Sequence, residues 1–238
     1  KDVLLTHILV FQNALFDFAA YARQKGIQKI SFIYDLKNKG YSEDWVKNFK
    51  FKFEELGGKS LLTQDFLSSN TLPFYNITKK VLKTQPDAVV LVAGAVDTAM
   101  FSQQIKKISP QTQIIIAGWA MTEELIHHGG RAVENSWIAY NYDKNGQEPL
   151  YLEFQENFKK TFGVSPDFTA KYSYETIMVL ADAMQELKEI TPDSLKKAIL
   201  QKKVFQGLQG KIEFDAYGDV VPKIAFFTVE QGQFKRIQ

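Results

Sequence analysis

The sequence predicts an α/β fold built on a doubly wound, parallel sheet. Three observations carry this reading. Helical and strand patterns alternate over residues 14–140. Two strand segments, Ala88-Val-Val-Leu-Val92 and Ile114-Ile-Ile116, are apolar without alternation, as in strands covered on both faces. Glycine pairs or single glycines close several of the helical patterns.

The first helix sets Leu15, Phe18, Ala19 and Ala22 on one face and runs to Gly26, a C′ glycine. A strand follows at 29–34. The next helix is expected over 42–56, with Ser42 as N-cap and Glu43 and Asp44 at the positive end of its dipole. Gly57-Gly58 closes it. Between strand and helix, Gly40 reads as a tight turn that lets Tyr41 lean over the mouth of the sheet. Strands at 59–66, 87–93, 113–117 and 136–140 then alternate with helices at 73–84, 96–108 and 122–128. Five strands with intervening helices make one α/β lobe.

After Tyr140 the rhythm changes. Helical patterns at 149–162, 168–187 and 192–201 arrive with no strand between them. The last has Thr191 as N-cap and Pro192 at its first position. Short strands are expected at 211–214, 223–229 and 233–237, with Asp215-Ala-Tyr-Gly218 as a turn. Three helices without a sheet cannot form a second α/β lobe by themselves.

Composition narrows the function. Hydrophobic residues are 45% and charged residues 24% of the 238, as in a soluble globular protein. The 29 basic and 27 acidic residues leave a net charge of +2 and no basic stripe, so neither nucleic acid nor an anionic membrane is expected as a partner. With no cysteine, disulfides, thiolate nucleophiles and Cys-ligated metals are excluded. No apolar run reaches the length of a membrane span. Lys1-Asp-Val-Leu-Leu-Thr-His7 lacks the long apolar core and small-residue cleavage site of a signal peptide, so if the protein is exported its signal is expected outside this sequence.

Motifs for catalysis and cofactors are missing as well. His127-His128 precedes Gly129-Gly130, but adjacent histidines diverge on a helix and the third histidine is His7, so a helix stop accounts for the pattern and no metal is expected. After the first strand comes Asp35-Leu-Lys-Asn-Lys-Gly40, with neither dinucleotide nor P-loop spacing, and no cofactor is expected. Gly118-Trp-Ala120 has no serine for a nucleophile elbow. Glu43-Asp44 and Glu123-Glu124 sit where helix dipoles favour them.

Three loops remain, carrying Tyr41, Gly94-Ala-Val-Asp97 and Gly118-Trp-Ala-Met121. All are expected on one rim, because parallel strands present their carboxyl ends together. Each leads into a helix N-terminus, where free backbone amides hold polar ligand groups. Tyr41 and Trp119 add flat apolar faces with one hydrogen-bonding atom each.

The order of segments resembles the type I periplasmic solute-binding proteins, in particular the branched-chain amino acid (Leu/Ile/Val) receptors of ABC transporters. The matching stretches include Phe18-Ala-Ala-Tyr-Ala-Arg-Gln-Lys-Gly-Ile27, Tyr34-Asp35 with Gly40-Tyr41, and Phe53-Glu-Glu-Leu-Gly-Gly58. Gln85-Pro-Asp-Ala88, Phe158-Lys-Lys-Thr-Phe-Gly163, Tyr172-Ser-Tyr-Glu-Thr176 and Gly207-Leu-Gln-Gly-Lys-Ile-Glu-Phe-Asp215 follow in order. The resemblance implies two lobes that close on a ligand, with 14–140 as the second lobe, 211–238 near the hinge and 141–210 as the helical part of an incomplete first lobe. On that basis the chain looks like a fragment lacking the start of the first lobe. Leu152, Phe158, Met178, Leu180 and Leu187 would then lack a partner sheet, and a homodimer or a swap is expected to cover helices 149–201.

Carried over by position, the resemblance implies ligand contacts from Tyr41, Ala95, Val96, Trp119 and Thr169. Gly118-Trp-Ala120 has no acid of the kind that holds a ligand ammonium, and Asp97 is the nearest one. The implied ligand is thus a small amino acid, an organic acid or an amide. The implied protein is periplasmic, performs no chemistry and partners an ABC permease. Two alternatives share the residue pattern: the extracytoplasmic sensor domain of a signalling receptor, and a small flavodoxin-like enzyme.

Overall fold

A computed structural model describes residues 12–69, 71–185, 187–220 and 224–237. His7 and the expected strand start at 223 lie outside the described residues. Within them the chain forms two compact units, 12–140 with 224–237, and 141–220.

The first unit opens with α1 (Gln12–Gln24), β1 (Lys29–Asp35), α2 (Lys39–Glu55), β2 (Lys59–Phe66) and α3 (Phe74–Leu82). It continues with β3 (Ala88–Val92), α4 (Ala95–Ile108), β4 (Gln113–Ala117), α5 (Glu123–Gly129) and β5 (Trp137–Tyr140). The second unit holds α6 (Pro149–Phe162), α7 (Phe168–Met184), α8 (Pro192–Lys202), β6 (Val204–Gly207) and β7 (Gly210–Glu213). The chain returns to the first unit as β8 (Ala225–Glu230) and β9 (Gln233–Arg236).

The first unit's sheet has the order β2-β1-β3-β4-β5-β8-β9. Its first five strands are parallel, while β8 and β9 pair antiparallel at the far side. All five residues of β3 are buried, which is why this strand shows no polar alternation. Ile30, Phe32, Val90, Val92 and Ile115 point to α1 and α2. There Trp45, Phe49 and Phe53 recur at i, i+4, i+8, with the Trp45–Phe49 rings stacked at 5.2 Å. Ile33, Val89, Leu91, Ile114 and Ile116, equally buried, face the other way. On that side α3 packs on β1 and β2, and α4 on β3. The sheet is therefore doubly wound.

One junction departs from the sequence reading. Helix α2 begins at Lys39, with Asn38 as N-cap, so Gly40 and Tyr41 lie in its first turn. Gly40 has no positive φ, and a Cβ there would meet open space, so it is not the turn-maker. The turn is made by Asp35, whose carboxylate accepts the backbone N–H groups of Lys37 at 3.0 Å and Ser68 at 3.1 Å. Ser42 is no N-cap. It is buried inside the helix and donates its hydroxyl to the Asp35 carbonyl at 2.6 Å.

In the second unit, α7 and α8 pack on a two-stranded antiparallel hairpin, β6–β7, that supplies the helices with a small sheet of their own. Val179, Ala183, Ile199, Phe205, Ile212 and Phe214 form its core. Leu180 packs against this core, contrary to the expectation that it lacks a partner. Thr191 does cap α8, accepting the N–H of Ser194, with Pro192 behind it. The outer side of α6 and α7 stays apolar: Leu150, Phe162, Tyr174 and Ile177 are exposed. Phe154, Phe158 and Met178 line a groove of about 250 Å³ there.

Candidate functional site

The connections out of β1 and β3 leave to opposite faces of the sheet, so a crevice opens where their carboxyl ends lie side by side. Asp35 and Ser42 hold the first turn of α2 down at this point. Tyr41 thereby reaches across the end of the sheet toward a 3-10 turn, Gly118–Ala120, that follows β4. Its ring meets Trp119 edge-on, with centroids 5.8 Å apart and planes at 83°. The ring is half-buried, but its hydroxyl oxygen is wholly so and interacts with the Trp119 backbone. Burial pushes the phenol pKa well above its ordinary value.

The β3–α4 loop closes the third side. A Cβ placed on Gly94 would lie 4.0 Å from Cζ2 of Trp119. Gly94 is also the N-cap of α4 and offers no side-chain acceptor, so the first amides of the helix keep their capacity for a ligand. Ala95 is buried, Val96 is 42% exposed and Asp97 is half-buried in the first turn. The structure thus gathers the Tyr41, Gly94–Asp97 and Trp119 loops at one rim. What they present is two aromatic faces, a helix N-terminus and one carboxylate.

Thr169 belongs to the second unit. It lies exposed in the first turn of α7, where its hydroxyl donates to the carboxylate of Asp167 at 2.5 Å. Asp167 also caps α7 by accepting the N–H of Ala170. Tyr34, at the end of β1, was visible in the sequence only as part of a motif. Its phenol pKa is raised by burial first and then by the charges of Asp65 and Glu43. His127 and His128 stand edge-on at 5.1 Å. Among the described residues no group of three or more His, Asp or Glu side chains is placed to hold a metal.

The buried phenol gives a test of this geometry. Folded Tyr41 keeps its proton at pH values where the unfolded chain, near the ordinary value of 10, has lost it. Stability should therefore be unaffected by this group below about pH 10 and fall as pH rises beyond it. Tyr41→Phe should remove up to about 1.4 kcal/mol per pH unit of that alkaline slope. Urea unfolding at pH 9, 10 and 11 measures it, and equal slopes in both proteins would contradict the burial of the hydroxyl.

An open α/β sheet with aromatic loops gathered at its switch point is the architecture of domains that hold small molecules at strand carboxyl ends. The family model described as periplasmic binding protein matches residues 10–233, and the chain belongs to that family. This is a family of binding proteins. Leu/Ile/Val-binding protein homolog 1 of Brucella suis biovar 1 is 23% identical over 205 residues, spanning 86% of this chain and 54% of that protein. The chain thus spans about half the length of the curated relatives it matches. The crystal structure of the leucine binding protein LivK from Thermotoga maritima superposes with a TM-score of 0.87 at 24% identity, covering 97% of this chain and 65% of that one. A solute binding protein from Rhodopseudomonas palustris BisB5, in complex with 3,4-dihydroxy benzoic acid, gives 0.80 at 23% identity, covering 94% and 62%.

Proposed function

We propose that this protein is the extracytoplasmic solute-binding component of an ABC transporter, that it performs no chemistry, and that its ligand is a small amino acid or organic acid. The meeting of Tyr41, Trp119 and the uncapped N-terminus of α4 at one switch point carries this reading. Two aromatic faces suit an apolar ligand body, and backbone amides suit a carboxylate. The names of the relatives agree: one binds leucine, another was crystallised with an aromatic acid. Ala95, Val96 and Asp97 are proposed as further contacts on this rim, and Thr169 as a contact from the second unit.

The apolar side of α6 and α7 belongs to the same reading. About a third of LivK has no counterpart in this chain. We assign the cover of Leu150, Phe158, Phe162 and Ile177 to polypeptide corresponding to that share, making 141–220 the helical part of a larger lobe. In the chain alone, a second copy or a swap would take its place.

The test is calorimetry and thermal shift on protein expressed from its complete reading frame. The ligands are leucine, isoleucine, valine, benzoate and 3,4-dihydroxybenzoate. At least one should raise Tm, and Trp119→Ala should weaken that ligand at least tenfold without altering the melting of the free protein by more than a few degrees. A ligand whose affinity is indifferent to Trp119→Ala and Tyr41→Ala would remove this rim as the site.

A further inference from the structure

A cleft of about 450 Å³ lies in the first unit where its parallel strands begin, at the end opposite the Tyr41–Trp119 rim. The connections from α3 to β3 and from α4 to β4 form its walls. Leu82, Gln85, Pro86 and Asp87 line one side, and Ser109, Gln111 and Thr112 the other. Its size falls within the range of small-molecule sites.

Both walls are tied from behind. Oδ2 of Asp87 accepts the backbone N–H groups of Gln28 at 2.9 Å and Lys29 at 2.7 Å, which fixes the carboxylate and leaves Oδ1 as an acceptor. Lys106 spans the other connection, donating to the carbonyls of Pro110 at 3.0 Å and Thr112 at 2.8 Å. The Thr112 hydroxyl donates to Ser109 Oγ at 2.8 Å, so Ser109 keeps its own proton for another acceptor. Gln85 and Gln111 are exposed, and their side-chain amides hold no partner among the described residues. Gln85 also has a φ of 54°, a left-handed conformation uncommon for any residue but glycine. The chain tolerates that strain and keeps a long amide at the cleft, where glycine would supply none.

Charge and hydrogen-bond pattern together select a ligand class. No Lys or Arg among the described residues lines the cleft and one carboxylate does, which disfavours an anion. A metal ion would need several anionic or carbonyl oxygens, and no group of three or more His, Asp or Glu among the described residues is placed for one. What the cleft offers is two carboxamides, a hydroxyl proton and a carboxylate oxygen, donors and acceptors side by side. Neighbouring hydroxyls on a carbon ring present the same alternation, and Leu82 and Pro86 supply apolar surface for its C–H face. We propose that this cleft is a ligand site separate from the rim, and that it takes a neutral polyhydroxyl compound of monosaccharide size. Gln85, Asp87, Ser109 and Gln111 are its hydrogen-bonding residues. The inference uses no part of the transport reading and stands if that reading fails.

Nuclear magnetic resonance of the isotope-labelled protein tests it, with glucose, N-acetylglucosamine and myo-inositol titrated separately. At least one should shift the side-chain amide signals of Gln85 and Gln111 and the backbone amides of 85–87 and 109–112, saturably and with one common Kd. The signals of Tyr41 and Trp119 should stay in place. Gln111→Ala should weaken that compound roughly three- to tenfold, the loss of a neutral hydrogen bond or two. Gln85→Gly should do the same, and because glycine suits the positive φ its fold is preserved. No saturable shift from any of the three at about 50 mM would overturn the proposal. So would an affinity unchanged in both variants, or sugar shifts confined to the Tyr41 and Trp119 loops. Magnesium chloride saturating the 85–87 and 109–112 amides while the sugars leave them unmoved would make the cleft a cation site and overturn it equally.

Discussion

Glu175→Ala should destabilise the second unit by about 3–5 kcal/mol, the cost of leaving a buried charge without its partner. Glu175 and Lys171 lie one helical turn apart on α7, Oε2 to Nζ 3.0 Å, with side chains only 3% and 6% exposed. The second carboxylate oxygen accepts the Leu208 N–H at 2.7 Å, tying α7 to the β6–β7 turn. Lys171 also sits over the ring of Tyr172 at 4.6 Å. Removing the carboxylate strands the ammonium and the Leu208 amide together.

A second variant separates these terms. In Lys171→Met with Glu175→Gln no buried charge remains, and the glutamine carbonyl still accepts from Leu208. That protein should lie within about 1.5 kcal/mol of the parent, because charge-free replacements of buried pairs are often near neutral. Hydrogen exchange in the middle of α7 reads both, since amide protection follows the stability of the surrounding structure. An alanine variant as protected as the parent would show that water reaches the pair.

How much of this was legible beforehand depends on scale. The central strands announced themselves, because β3 and β4 are buried along nearly their whole length and hold almost nothing but Val, Ile, Leu and Ala. Helix α2 was legible in its interior through Trp45, Phe49 and Phe53, but its start was not. Ser42 followed by two acids is a helix-entry signature, yet here the hydroxyl serves a buried bond to Asp35, and only the path of β1 reveals that. Strand β6 has four residues, two exposed and two buried, too short a pattern to stand out beside α8. Nothing in the spacing of Lys171 and Glu175 at i, i+4 marks them as buried, because the hairpin that buries them lies more than thirty residues on.

For the candidate site, sequence order sufficed to bring Tyr41, Gly94–Asp97 and Trp119 to one rim, since strand direction fixes where the loops lie. It did not give the edge-on contact of Tyr41 with Trp119. Nor did it show why residue 118 is glycine. That reason is steric and involves residues 139 and 140, more than twenty positions away in the chain but adjacent in the sheet.

Gly118→Ala is accordingly the second large effect expected. An added methyl would meet the Tyr140 ring at 2.2 Å and the Ala139 carbonyl oxygen at 2.8 Å. The ring belongs to a side chain only 4% exposed, and the carbonyl to a strand paired on both edges, so neither neighbour yields freely. Overpacking of this kind typically costs 1–3 kcal/mol, and backbone on one side of the clash puts this case near the top, at about 3 kcal/mol. In a chain of this length that amounts to roughly 6–12 °C in Tm. The positive-φ argument does not apply, because Gly118 has no positive φ; the demand is for space alone. Gly118→Ala combined with Tyr140→Leu should therefore recover much of the loss, since a smaller side chain vacates the overlap. A Gly118→Ala protein melting with the parent would mean that β5 and the Trp119 turn stand farther apart than this packing requires.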